Sequence, residues 1–175
     1  MNWKIKAFLQ NILSKSRVGD RINHLYGSMQ KNYYPRGVDY GLKEIFLKLD
    51  LIDYNGKSSI FPRDAALELG TGYFLVQPVI LSLLGWKKIF TVDITHDIFD
   101  KALKQQITLL CKEIYLEKIK KHSALESDEF DNLVIALKKL NSLSSILELL
   151  NITYIAPYKF KEVADYDIKF DLIFH

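Results

Sequence analysis

Two carboxylates and two glycines stand at spacings that suit ligand binding: Glu68, Gly70, Gly72 and Asp93. Glycines allow a backbone to approach a ligand closely, because no side chain intervenes. A carboxylate about twenty residues after such a turn, at the end of the next strand, can accept hydrogen bonds from both hydroxyls of a ribose. This combination predicts a site for an adenosine-bearing cofactor.

The surrounding residues predict the strand, turn and helix that would hold this site. Short apolar runs predict strands over 64–69 and 88–93, with a helix over 73–84 between them. Pro78 suits the first turn of that helix, and Gly85 is a typical helix stop. The N–H groups at the start of the helix would face the glycine turn and the ligand.

Two details of the turn favour one kind of cofactor. A dinucleotide site usually has a third glycine that packs the helix against a pyrophosphate, and here that position is Leu75. In a dinucleotide site, Glu68 would also place a negative charge beside the pyrophosphate of the ligand. A cofactor with a cationic centre and an amino group would instead be stabilised by this acid. A nicotinamide-dependent oxidoreductase stays as the weaker alternative.

These motifs resemble those of the class I S-adenosylmethionine-dependent methyltransferases. The resemblance covers about residues 64–175 and rests on three segments, which are Leu67–Gly72, Val92–Ile94 and Phe170–Phe174. It implies S-adenosyl-L-methionine as the cofactor and a small molecule, lipid or glycan precursor as the acceptor. It implies cofactor contacts by Glu68 with the amino group, Asp93 with the ribose, Ile94 with the adenine, and the turn Leu69, Gly70, Thr71 and Gly72 with the methionine part. No catalytic residue and no metal ligand is indicated.

Both acids have simpler interpretations. Glu68 is equally consistent with a buried acid that pairs with a lysine. Asp93 is equally consistent with a cap on a helix that starts near His96. The two acids together with the glycines favour the cofactor site.

The fold class predicted from these elements is α/β, with a Rossmann-like doubly wound sheet, N-terminal helices and a helical insertion. Residues 1–60 are assigned to an N-terminal helical segment and residues 61–175 to the cofactor-binding domain. The other elements expected are helices over 2–15, 38–49 and 97–121, a turn-like break over 33–37, helical stripes in an insertion over about 122–150, and strands over 152–156 and 169–174. The insertion would be a cap, a dimer surface or additional packing.

The resemblance implies three further strands, so the sheet is expected to be truncated after the fourth strand, near His175. Three explanations of this truncation are open. The chain is a fragment, half of a split enzyme, or a non-catalytic cofactor-binding or interaction module. Each predicts an exposed edge at the fourth strand, and therefore a homo-oligomer or a missing C-terminal half as partner.

Composition and charge bear on whether the protein binds nucleic acid or a membrane. The net charge of +3, from 24 basic and 21 acidic residues, argues against nucleic acid. No apolar run reaches the ~20 residues that span a bilayer. The N-terminal residues have no uninterrupted apolar run and no small-residue cleavage site of the kind found in secretory signals, so we expect a cytoplasmic protein. The basic helix over 2–15 is expected to pack on the domain, with membrane contact as the alternative. The lone Cys111 is expected to be a small core residue.

Overall fold

The computed structural model describes residues 33–54, 62–96, 98–158 and 168–175. The helices over these residues are α1 (Tyr33–Tyr54), α2 (Val76–Leu83), α3 (Asp100–Leu110), α4 (Glu113–Lys120), α5 (Ser127–Lys139) and α6 (Leu143–Leu149). The strands are β1 (Ala65–Leu69), β2 (Lys88–Val92), β3 (Ile152–Ile155) and β4 (Leu172–Phe174). The predicted helix over 2–15 lies outside the described residues.

The four strands form one sheet in the order β3-β2-β1-β4, and all three pairings are parallel. The chain is therefore of the α/β class, as predicted. The order reverses between β1 and β4, because β2 and β3 extend the sheet to one side of β1 and β4 lies on the other. The Asp171 carboxylate accepts hydrogen bonds from the N–H groups of Asp64 and Ala65, at 2.9 and 3.0 Å, and so joins the starts of β4 and β1.

The two faces of the sheet are covered differently. All six helices contribute buried apolar residues to one cluster, which also contains Ala66 and Ile89. Leu67 and Phe90, which alternate with those residues along the strands, lie in a second cluster with Tyr158 and Phe170. The described ends of the connection from β3 to β4 therefore lie on the face opposite the helices.

One predicted break is part of a helix. Residues 33–37 were expected to form a turn, but they are the first residues of α1. Pro35 is tolerated there because the first turn of a helix needs no N–H donors. Gly37 packs against Phe74, so closely that a Cβ on Gly37 would lie 2.1 Å from Cε1 of that ring.

The prediction of one long helix over 97–121 is wrong in part. The structure has two helices there, α3 and α4, which are separated at Cys111 and Lys112. Lys112 has the extended backbone angles φ −70° and ψ 144°. Because of this interruption, Ile114 does not extend the buried apolar face of α3, and its side chain is 72% exposed. Cys111 is buried and unpaired with any cysteine, in agreement with its prediction as a core residue.

The helices predicted within about 122–150 are observed as α5 and α6. Their predicted stripes are buried at Phe130, Val134, Leu137, Ile146 and Leu150. These side chains belong to the same cluster as the sheet residues, so the insertion packs on the helical face of the sheet. Within the described ranges, no helix is long and apolar enough to cross a membrane.

Candidate functional site

The glycine turn leaves the end of β1 with its backbone open. Gly70 and Gly72 have positive φ values of 82° and 59°, a conformation that L side chains rarely adopt. A Cβ built on either glycine would meet no atom within 4 Å. The Gly70 N–H donates to the carbonyl oxygen of Val92 at 2.8 Å, which holds the start of the turn against the end of β2. The turn is therefore fixed on one side and open to a ligand on the other.

Asp93 is joined directly to this turn. Its Oδ2 accepts a 2.6 Å hydrogen bond from the Gly72 N–H, and its Oδ1 accepts one of 3.1 Å from the Thr95 N–H. The alternative that Asp93 caps a helix starting near His96 is wrong, because the next helix begins at Asp100. The Thr95 hydroxyl also donates to Oδ1 of Asp93, at 3.4 Å. A carboxylate has about four acceptor positions, so about one remains on Asp93 for a further donor.

Glu68 lies beneath the turn in a network of hydroxyl groups. Its side chain is buried, and the Thr91 hydroxyl donates to its Oε2 at 2.5 Å. The hydroxyls of Thr71 and Thr91 are themselves hydrogen-bonded. Among the described residues Glu68 forms no salt bridge, so the structure does not bear out its interpretation as an acid in a lysine ion pair.

The environment of Glu68 changes its acidity. The pKa of Glu68 is raised from 4.5 to about 7, mainly by burial and to a smaller extent by the nearby Asp93. Hydrogen bonds from Thr91 and Thr71 oppose this rise, as does the positive charge of Lys48. A carboxyl group at the end of β1 therefore changes its charge near neutral pH.

A buried glutamine, which the sequence analysis did not identify, holds the far end of the turn. The Leu75 N–H donates to Gln106 Oε1 at 2.9 Å, and Gln106 Nε2 donates to the Tyr73 carbonyl oxygen, also at 2.9 Å. Gln106 lies beside Ile107 on the buried face of α3, and a polar residue within an apolar stripe was the available signal. Thr91, a polar residue within a buried strand, was a second signal of the same kind.

The predicted site residues lie together, with different exposures. Leu69 pairs with Val92 in the sheet, so the turn after β1 lies beside the end of β2. Thr71 and Asp93 are buried, whereas Leu69 and Ile94 are exposed. Ile94 is 75% exposed, which leaves this apolar side chain open beside the turn.

A cleft of about 920 Å³ opens on the α1 side of the glycine turn. It is bounded by α1, by the turn and by β4, and Glu68 lies at its floor. Asp93 and Ile94 do not line this cleft. The turn therefore separates two regions, the surface at the end of β2 and the cleft between α1 and β4.

No group of three or more potential metal ligands occurs within the part of the chain that the structure describes. Comparisons of the chain with family models, with curated proteins and with solved structures found no match in any of the three.

Proposed function

We propose that this chain binds S-adenosyl-L-methionine in a Rossmann-like fold and acts as a methyltransferase. The observation that carries the proposal is the open glycine turn tied to Asp93 by the 2.6 Å hydrogen bond of Gly72. This pair lies at the carboxyl ends of adjacent parallel strands, beside the point where the strand order reverses. Ligands of open α/β sheets bind at such positions.

The groups around the turn fit this cofactor. Gly70 and Gly72 leave room for the methionine part, and the Glu68 carboxyl can accept a hydrogen bond from the cofactor's amino group. Asp93 has acceptor capacity for one ribose hydroxyl, and the exposed Ile94 offers an apolar surface for the adenine. Leu69 and Thr71 complete the turn on either side of Gly70.

A pyrophosphate fits less well. The Leu75 N–H, which precedes the first turn of α2, is already bonded to Gln106, and the Leu75 side chain is fully buried. The Gly72 N–H is bonded to Asp93. Two backbone donors that would contact phosphate oxygens in a dinucleotide site are therefore occupied. This supports a phosphate-free cofactor over a nicotinamide dinucleotide.

Held by Gly70, Gly72 and Asp93, S-adenosyl-L-methionine would supply a methyl group to a nucleophilic atom of the acceptor, and S-adenosylhomocysteine and one proton would be released with the methylated product. The protein's part is to align the acceptor and to exclude solvent. The acceptor is proposed to be a small molecule, a lipid or a glycan precursor. Because the reaction needs no obligatory general base, no catalytic residue is assigned.

Calorimetric titration with S-adenosylhomocysteine tests the proposal. We expect saturable binding, weakened about tenfold by Ile94→Ala through loss of contact with the adenine. Ile114→Ala is the matched control, since Ile114 is 72% exposed and Ile94 is 75% exposed. Absence of binding to the folded protein would overturn the proposal, and equal weakening by both variants would remove Ile94 from the site.

A further inference from the structure

The cleft between α1 and β4 is lined by five aromatic side chains. They are Tyr33, Tyr40, Tyr73, Phe74 and Phe174. The centroids of the Tyr33 and Phe74 rings lie 5.3 Å apart, a spacing typical of paired aromatic side chains. The proposed partners of the ribose and adenine, Asp93 and Ile94, lie outside this lining, so the cofactor's adenosine part does not account for the cleft.

The mouth of the cleft is apolar as well. Tyr40, Leu51 and Ile173 are 62%, 59% and 59% exposed, and all three line it. A cluster of exposed apolar side chains at the edge of a cavity marks a surface that a ligand covers. The cavity volume of about 920 Å³ lies within the range of small-molecule sites.

The charges inside the cleft are already compensated. Lys48 Nζ lies 3.5 Å from Glu44 Oε2, donates to Gln77 Oε1 at 3.2 Å, and is 5.3 Å from the centroid of the Phe174 ring. Glu68 is buried, accepts a hydrogen bond from the Thr91 hydroxyl and has its pKa raised to about 7 by burial, so it is only a partial counter-charge at neutral pH. Two further ionisable side chains of the lining, Arg36 and His175, are exposed. A charged ligand would therefore lose hydration without a dedicated buried counter-charge.

We propose that this cleft binds an uncharged, flat aromatic molecule. The aromatic rings supply faces and edges for stacking, and the compensated charges disfavour ionic ligands. If the methyltransferase function holds, this molecule is the methyl acceptor, and that part of the inference rests on the proposed function. The binding itself does not depend on it.

The test is a fluorescence titration of the full, cofactor-free chain with 2-naphthol. Two probes with the same ring system, 2-naphthoate and 2-naphthylmethylammonium, vary the charge, and the saturated alcohol 2-decalol serves as a competitor. We expect 2-naphthol to bind at least about tenfold more tightly than either ion, and 2-decalol to displace it poorly. Tighter binding of the ammonium probe, or full displacement by 2-decalol, would overturn the proposal.

A pair of variants on α1 locates the binding. Tyr40 lines the cleft, whereas Leu47 on the same helix is 50% exposed and does not line it. We expect Tyr40→Ala to weaken 2-naphthol binding about fivefold or more, and Leu47→Ala to leave it within about twofold. Equal effects, or no saturable binding by the folded wild type, would overturn the proposal.

The same protein preparation separates this inference from the proposed function. Binding of 2-naphthol without binding of S-adenosylhomocysteine would keep the aromatic site and reject the methyltransferase. Binding of S-adenosylhomocysteine without 2-naphthol would do the reverse.

Discussion

The backbone N–H of Gly72 donates a 2.6 Å hydrogen bond to the carboxylate of Asp93. This contact joins the turn after β1 to the residue that follows β2. The same carboxylate accepts the Thr95 N–H, so it holds the backbone on both sides of the proposed ligand surface. Asp93 is therefore a structural residue as well as the proposed ribose ligand, and a substitution there should affect both stability and binding.

Asp93→Ala removes both acceptor oxygens and leaves the Gly72 N–H without its acceptor. We expect the free energy of unfolding to fall by about 2 kcal/mol, because hydrogen bonds to a charged acceptor contribute roughly 1.5–3 kcal/mol. Urea denaturation of the ligand-free chain measures this change. Asp93→Asn retains one acceptor oxygen and should cost about half as much. Unchanged stability of Asp93→Ala would show that the turn does not depend on this carboxylate.

Gln106 should be as important as Asp93 for the shape of the turn. Gln106→Ala leaves the Leu75 N–H and the Tyr73 carbonyl without their side-chain partner. We expect a loss of about 2 kcal/mol in the free energy of unfolding, because unsatisfied buried polar groups cost ~1–3 kcal/mol each and water relieves part of this. We also expect weaker binding of S-adenosylhomocysteine.

Gln105→Ala is the matched control for Gln106→Ala. Gln105 is the neighbouring residue on α3 and is exposed, so its removal should change neither the urea midpoint nor the affinity. If the two alanine variants unfold at the same urea concentration, Gln106 does not hold the turn.

Much of the arrangement around Gly70 and Gly72 is predictable from sequence because it depends on local rules. A short apolar run, two glycines and a helix stop at Gly85 define β1, the turn and α2 without reference to the rest of the chain. The observed β1, Ala65–Leu69, lies within the predicted strand over 64–69. The cofactor and the methyl transfer stay predictions.

The residues that escaped prediction act across long sequence separations. Gln106 contacts residues more than thirty positions earlier, and Gly37 is a glycine because Phe74 occupies the space beside it. The position of Gln106 within an apolar stripe indicates a buried polar residue but not its partners, and the contact of Gly37 has no local signature. The break at Lys112 likewise separates two segments that have good helical patterns on both sides. The aromatic cleft has no local signature either, since Tyr40 and Phe174 line one cavity only in the folded chain.

Gly37→Ala tests the contact between α1 and the glycine turn. In an open helix this change usually stabilises by about 0.4–1 kcal/mol. Here the new Cβ would lie 2.1 Å from Cε1 of Phe74, so the ring must move. We expect a net loss of about 1–2 kcal/mol in the free energy of unfolding, as for overpacked cores. Thermal or urea denaturation measures it.

Combining Gly37→Ala with Phe74→Ala removes the ring that the new Cβ would meet. In that background Gly37→Ala should become neutral or stabilising, which gives a coupling energy of the opposite sign to the single-variant loss. Equal effects of Gly37→Ala with and without Phe74 would exclude this contact as the reason for the glycine.

Glu68 should make the stability of the fold depend on pH. In the unfolded chain this carboxyl ionises near its ordinary pKa of 4.5, whereas in the folded protein its pKa is raised to about 7, mainly by burial. Between these values the folded state binds more protons, so the free energy of unfolding falls as pH rises from 4.5 to 7. The difference between the two pKa values corresponds to roughly 3 kcal/mol, which is lost above pH 7.

Glu68→Gln is neutral at every pH and should not lose this contribution. Urea denaturation at pH 5, 6, 7 and 8 should therefore show the variant gaining stability relative to wild type with rising pH, by up to about 3 kcal/mol. Glu117→Gln replaces an exposed carboxyl and should run parallel to wild type. If the difference between Glu68→Gln and wild type is constant over this range, the Glu68 carboxyl is not held protonated by burial beneath the glycine turn.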